Sequence, residues 1–128
     1  MPPLEPLPGR FVFHWFLFPE VRDMPHVVHN VFFSLNDNSP ESCQRLVAAC
    51  DKYLKGHDGV VYYSAGVLCP SLARPVNDRA FDVALHVVFD SMATHDAYQA
   101  HPRHQQFITE SKPGWKQVRV FDSEVAGG

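Results

Sequence analysis

His26-Val27-Val28-His29-Asn30-Val31-Phe32-Phe33-Ser34-Leu35 is the stretch on which the fold turns. β-branched and aromatic residues fill it, and neither glycine nor proline interrupts it, so it reads as a strand. Alternation puts Val27, His29, Val31, Phe33 and Leu35 on one face and His26, Val28, Asn30, Phe32 and Ser34 on the other. Both faces are largely apolar, so both should be covered.

Asn36-Asp37-Asn38 ends this strand, and Ser39-Pro40-Glu41 supplies an N-cap, a proline at the first helical position and a first-turn acid. Cys43, Leu46, Val47, Cys50, Tyr53 and Leu54 recur at helical spacing and predict an amphipathic helix that stops at Gly56. Residues 60–69 read as a second strand, in which Gly66 suggests a bulge or a close backbone approach. After a polar loop, residues 81–89 read as a third strand, with Phe81, Val83, Leu85, Val87 and Phe89 on one face. Asp90-Ser91 caps a second helical region in which Met92, His95, Tyr98 and Gln99 share a face. Ala100-His101-Pro102 interrupts it, because proline disfavours a helical conformation in the residue before it. The helical pattern resumes through His104, Phe107 and Ile108, and a last strand covers residues 118–123.

The order β-α-β-β-α-β predicts an α+β protein with a ferredoxin-like four-stranded antiparallel sheet and helices on one face. Two helices cover only one face, yet the first and third strands carry large apolar residues on both. Left open, that face would exceed the few hundred Å² of apolar patch that monomers tolerate. Packing two sheets together removes it, so a homodimer through the sheet face is expected, a dimeric α/β barrel. The face with Val31 and Phe33 is expected at that interface, with an apolar pocket between the sheets that includes His29 or His26.

The folded domain is placed at residues 24–124, with a tail at 125–128. Residues 1–23 carry Pro2, Pro3, Pro6, Pro8 and Pro19 around Phe11, Phe13, Trp15, Phe16 and Phe18. They read either as a loosely ordered extension, with Met24 the true beginning, or as an arm that covers an apolar surface. No run approaches the ~18 apolar residues of a membrane span, and no secretion signal is read. A net charge of −3 without a basic run argues against a nucleic-acid partner. The eight histidines would reverse that sign if protonated, so surface electrostatics should change below roughly pH 6.5. Cys43 and Cys50, seven apart on one helix, lie about 10 Å apart, too far for a disulfide. With Cys69 they make an odd, unpaired set that fits the cytoplasm.

Tyr98, His101 and His104 form the strongest chemical constellation, near one face if the helix runs on. The proline after His101 can aim a histidine into a pocket mouth; equally, the two histidines can cap the broken helix. His101-x-x-His104 has usable metal spacing, and His29 could approach it. No carboxylate sits beside the pair, however, so no metal site and no cofactor are expected. No nucleophile elbow and no phosphate-binding glycine loop occur.

The first strand, Phe89-Asp90-Ser91, the run Ala97-Tyr98-Gln99-Ala100-His101-Pro102-Arg103-His104 and the closing Trp115 and Val118-Arg119-Val120-Phe121-Asp122 resemble the stress-responsive A/B barrel (Dabb) family. The likeness spans about residues 26–123. It implies a dimeric α+β barrel and leaves the activity open. A plant polyketide cyclase branch of that family has the same Tyr…His-Pro-x-His pattern. By that motif His104 would be a base and Tyr98 its partner, with His29 a further pocket histidine. The third strand departs from the pattern: Val83 stands where the cyclase has a histidine, and His86 points to the opposite face. The reading is a binder of a small apolar or aromatic molecule, contacted by His29, Val31, Phe33 and His101. The alternatives are a non-catalytic stable oligomer and an acid–base enzyme using His104 and Tyr98.

Overall fold

The structure is a computed structural model that describes residues 24–127. The alternatives for residues 1–23 lie outside the described residues. From the first strand onward the elements are β1 (His26–Leu35), α1 (Pro40–Leu54), β2 (Val60–Val67), β3 (Val83–Phe89), α2 (Met92–Ala100), α3 (Pro102–Ser111) and β4 (Trp115–Val125). A single 3-10 turn, Lys112–Gly114, joins α3 to β4. The strands form one antiparallel sheet in the order β2-β3-β1-β4, so the stretch quoted first lies in the interior. This is the ferredoxin-like α+β architecture expected from the sequence.

Local chemistry accounts for the helix boundaries. Ser39 Oγ accepts the Ser42 N–H at 3.3 Å and starts α1; Ser91 Oγ accepts the Thr94 N–H at 3.2 Å and starts α2. His101 serves two helices. Its backbone N–H donates to the Tyr98 carbonyl at the end of α2, and its Nδ1 accepts the Arg103 N–H at 3.0 Å to open α3. Gly59 has φ +81 and its carbonyl accepts the Asp90 N–H, which ties the approach to β2 to the end of β3. A Cβ at Gly59 would lie 2.3 Å from Thr94 Cγ2. Gly59→Ala therefore meets both a left-handed backbone and a clash, and is expected to destabilise by about 2 kcal/mol or more, read as a lower urea midpoint.

The β1 alternation is borne out: Val27, His29, Val31, Phe33 and Leu35 are buried and the intervening residues half-buried. The sheet face assigned to the dimer is not. Phe33 is 2 % exposed and Val31 6 % within one protomer, packed with Leu46, Cys50, Leu54, Phe107 and the β3 side chains. That face is the one the helices cover, so Val31 and Phe33 have nothing left to offer a second copy. Alternation separates two faces but does not say which of them the helices take. The open face instead carries Val28, Phe32, Val88 and Phe121, centred on a 2.7 Å hydrogen bond between His86 Nδ1 and Asn30 Oδ1. The Phe32 ring meets Phe81 and Phe121 at centroid distances of 5.0 and 5.7 Å. Phe81 thus sits before β3 and joins this open face rather than the Val83 face. The β2 irregularity lies between Val60 and Tyr62, not at Gly66. Cys43 and Cys50 are buried on α1, as their spacing suggests, and neither is in a disulfide.

Candidate functional site

The apolar pocket expected between two sheets lies instead between sheet and helices of a single protomer. A cavity of about 160 Å³ runs between β1 and β4 on one side and α2 and α3 on the other. His29, Val31 and Phe33 of β1, Tyr98 of α2, His104 of α3 and Trp115 of β4 line it. The breach arises at the edge strand: Val120, opposite Val31 in the register, remains 49 % exposed.

Five of the six residues singled out from the sequence gather here, and His101 does not. The restart of the helix at Pro102 separates His101 from His104. His101 is exposed, caps α3 and borders a different hollow with His57 and Arg103. His104, two residues into α3, is buried with its ring 4.7 Å from that of Tyr98. The shared helix face expected for all three is thus broken at the proline.

Three residues that line this cavity carry buried polar atoms without a partner among the described residues. Tyr98 Oη, His104 Nδ1 and Trp115 Nε1 are buried, and among the described residues no atom accepts from or donates to them. Buried polar groups are nearly always satisfied, and each exception costs about 1–3 kcal/mol. The three residues that bear these atoms all line this one cavity. A wider, open groove of about 490 Å³ between the β1–α1 turn and the end of α3 touches only Trp115 of the three.

Electrostatics keep His104 and Tyr98 neutral. Burial, reinforced by like charge from His29, His57 and His95, pushes His104 down to about 4. That is well below the near-neutral value a poised base requires, so His104 is a neutral imidazole at physiological pH and a weak base. Burial also drives the Tyr98 phenol upward, so it stays protonated. His57 is lowered by burial, partly offset by its 2.7 Å hydrogen bond to the Tyr53 carbonyl.

Sequence reasoning missed several neighbours. His29 Nδ1 lies 2.5 Å from Asp122 Oδ1, its register partner on β4. His95, one helical turn before Tyr98, brings its ring to 5.6 Å from that of His29. Trp115 enters the sequence reading only through the family likeness, with no role in a site. Asp122 shares a strand face with Val118 and Val120, a signal that becomes legible once the β1–β4 register is known.

The profile of the family described as Stress responsive A/B Barrel Domain matches residues 27–125. The chain belongs to the Dabb family. Its structure resembles a dimeric ferredoxin-like protein of unknown function from Thermobifida fusca, at 18% identity and a TM-score of 0.65, over 80% of this chain and 92% of that one. A Dabb protein with a ferredoxin-like fold from Mesorhizobium loti gives 19% identity and a TM-score of 0.65, over 78% and 96% of the two chains. The hydroxynitrile lyase of Passiflora edulis gives 20% and 0.63, over 78% and 93%. No curated protein matches. At these identities the structural likenesses establish the Dabb fold and nothing about chemistry.

Proposed function

We propose that this Dabb protein is a homodimer whose protomers each bind a small, largely apolar molecule carrying a carbonyl or hydroxyl oxygen. The observation that carries the reading is that three residues lining one apolar cavity each carry a buried polar atom without a partner among the described residues. Trp115 Nε1 can only donate, and Tyr98 Oη can donate or accept, so a ligand oxygen suits either of them. About 160 Å³ is a small space. An apolar cavity of about 150 Å³ accommodates benzene, so a ligand of monocyclic size fits. The second copy is placed against the open face of the sheet, through Val28, Phe32, Val88 and Phe121. The Thermobifida fusca neighbour is described as dimeric, which supports a second copy; the choice of face rests on those apolar residues.

An acid–base reaction is the second reading, favoured by the contact between His104 and Tyr98. A neutral His104 can accept a proton, but its lowered pKa makes it a weak acceptor until a bound ligand changes its surroundings.

Native mass spectrometry of protein purified from cells tests the binding reading. A small molecule retained by the wild type and lost from Tyr98→Phe is the expected result. Because Tyr98 Oη has no partner to orphan among the described residues, Tyr98→Phe should at the same time be neutral to stabilising, by up to about 1 kcal/mol. A wild type that retains nothing, together with a Tyr98→Phe protein that loses stability, would leave the non-catalytic stable oligomer as the reading.

A further inference from the structure

We propose that His29, His95 and Asp122 form a binding site for a divalent transition metal, with Zn²⁺ the best-suited ion. Each offers one ligand atom, and the three atoms lie within 4.8 Å of one another. They come from three elements that the fold brings together: β1, α2 and β4. Two imidazoles and one carboxylate are the donor set of open, three-ligand zinc sites, which keep a fourth position for water or substrate.

The distances suit closure onto an ion. Ligand atoms about 2.1 Å from a tetrahedral zinc lie about 3.4 Å from each other. The His29–Asp122 pair, now 2.5 Å apart, would have to part by roughly 1 Å, exchanging its hydrogen bond for two metal bonds. The remaining separations would have to shrink by no more than about 1.4 Å from their 4.8 Å limit, within reach of side-chain rotation.

Two features beyond proximity support the site. His95 Nδ1 is 3.0 Å from Asp96 Oδ1, which leaves Nε2 as its ligand nitrogen. A carboxylate behind the imidazole is the usual arrangement for a metal-bound histidine; it fixes the ring and raises its basicity. An entry path also exists. Side-chain exposure rises from 8% at His29 through 17% at His95 to 50% at Asp122, so the cluster opens to solvent on the Asp122 side. His29 belongs also to the cavity wall, which puts a metal held there beside the cavity contents. The proposal does not rest on the small-molecule reading, because all three ligands come from the protein.

The test is calorimetric titration of the full chain, freed of metal by chelator, with Zn²⁺ at pH 7.5. Co²⁺ substitution provides a visible d–d spectrum. One equivalent is expected to bind, with His95→Ala and Asp122→Ala each weakening affinity at least about tenfold. Exposed His101→Ala, outside the cluster, should leave affinity unchanged. Because His29 is buried, the two more accessible ligands carry the test even if His29→Ala does not fold. Absence of saturable binding overturns the proposal and leaves a hydrogen-bonded His29–Asp122 pair. So does binding that survives both His95→Ala and Asp122→Ala, which would place the ion at other histidines. Retention of the small molecule is scored separately, so either result stands without the other.

Discussion

Phe33→Asp is expected to give unfolded, insoluble protein, and Phe121→Asp a folded protein that sediments as a monomer at micromolar concentration. The two phenylalanines sit on opposite faces of the same sheet. Phe33 is sealed under α1 and α3, edge-on to Phe107 at 6.2 Å and tilted against Trp115 at 5.0 Å. Replacing it removes a buried aromatic, worth about 3–5 kcal/mol, and adds an unpaired buried charge, which is enough to exceed the stability of a typical domain. Phe121 is 52 % exposed in the protomer, so a carboxylate there costs the isolated fold little. In a sheet-to-sheet dimer it would be desolvated and face its symmetry mate, which opposes association. Circular dichroism separates the folding outcomes and sedimentation velocity the assembly outcomes. A Phe121→Asp protein that remains dimeric would remove the open face from the interface.

Acid is expected to destabilise the protein in a window set by His104. In the unfolded chain the ring titrates near 6.5; in the folded protein burial and the neighbouring His29, His57 and His95 hold it at about 4. Between those values the unfolded chain takes up a proton that the native state refuses. The contribution of this group is therefore fully present above about pH 6.5 and falls away as pH drops toward 4, by at most about 3 kcal/mol. Urea midpoints measured from pH 7.5 to 4 should decline in the wild type and decline less steeply in His104→Leu. An equal slope in both proteins would assign the acid lability to His57 and His86, whose pKa values burial also lowers.

Strand and helix chemistry was largely legible in the sequence. Ser39-Pro40 and Ser91 announced two helix starts, and alternation in β1 set five side chains on one buried face. Which face the helices would take was not legible, because Val28 and Phe32 are as apolar as Val31 and Phe33. The position of the cavity followed from that same choice and was misplaced with it. Pro102 was read as an interruption, but not as the device that gives His101 to a cap and His104 to the cavity. His95 and Asp122 are polar residues on otherwise ordinary faces, and they become neighbours of His29 only through tertiary register.

Trp115 gives the cavity an optical reporter. It is one of two tryptophans in the chain, the other being Trp15. It lines the cavity, and its Nε1 is buried without a partner among the described residues. Indole emission depends on the polarity and hydrogen bonding around that nitrogen. In a Trp15→Phe background every photon of tryptophan fluorescence would come from the wall of the site. Candidate molecules could then be screened by the colour of the protein's own light, with neither an attached label nor a reaction to follow.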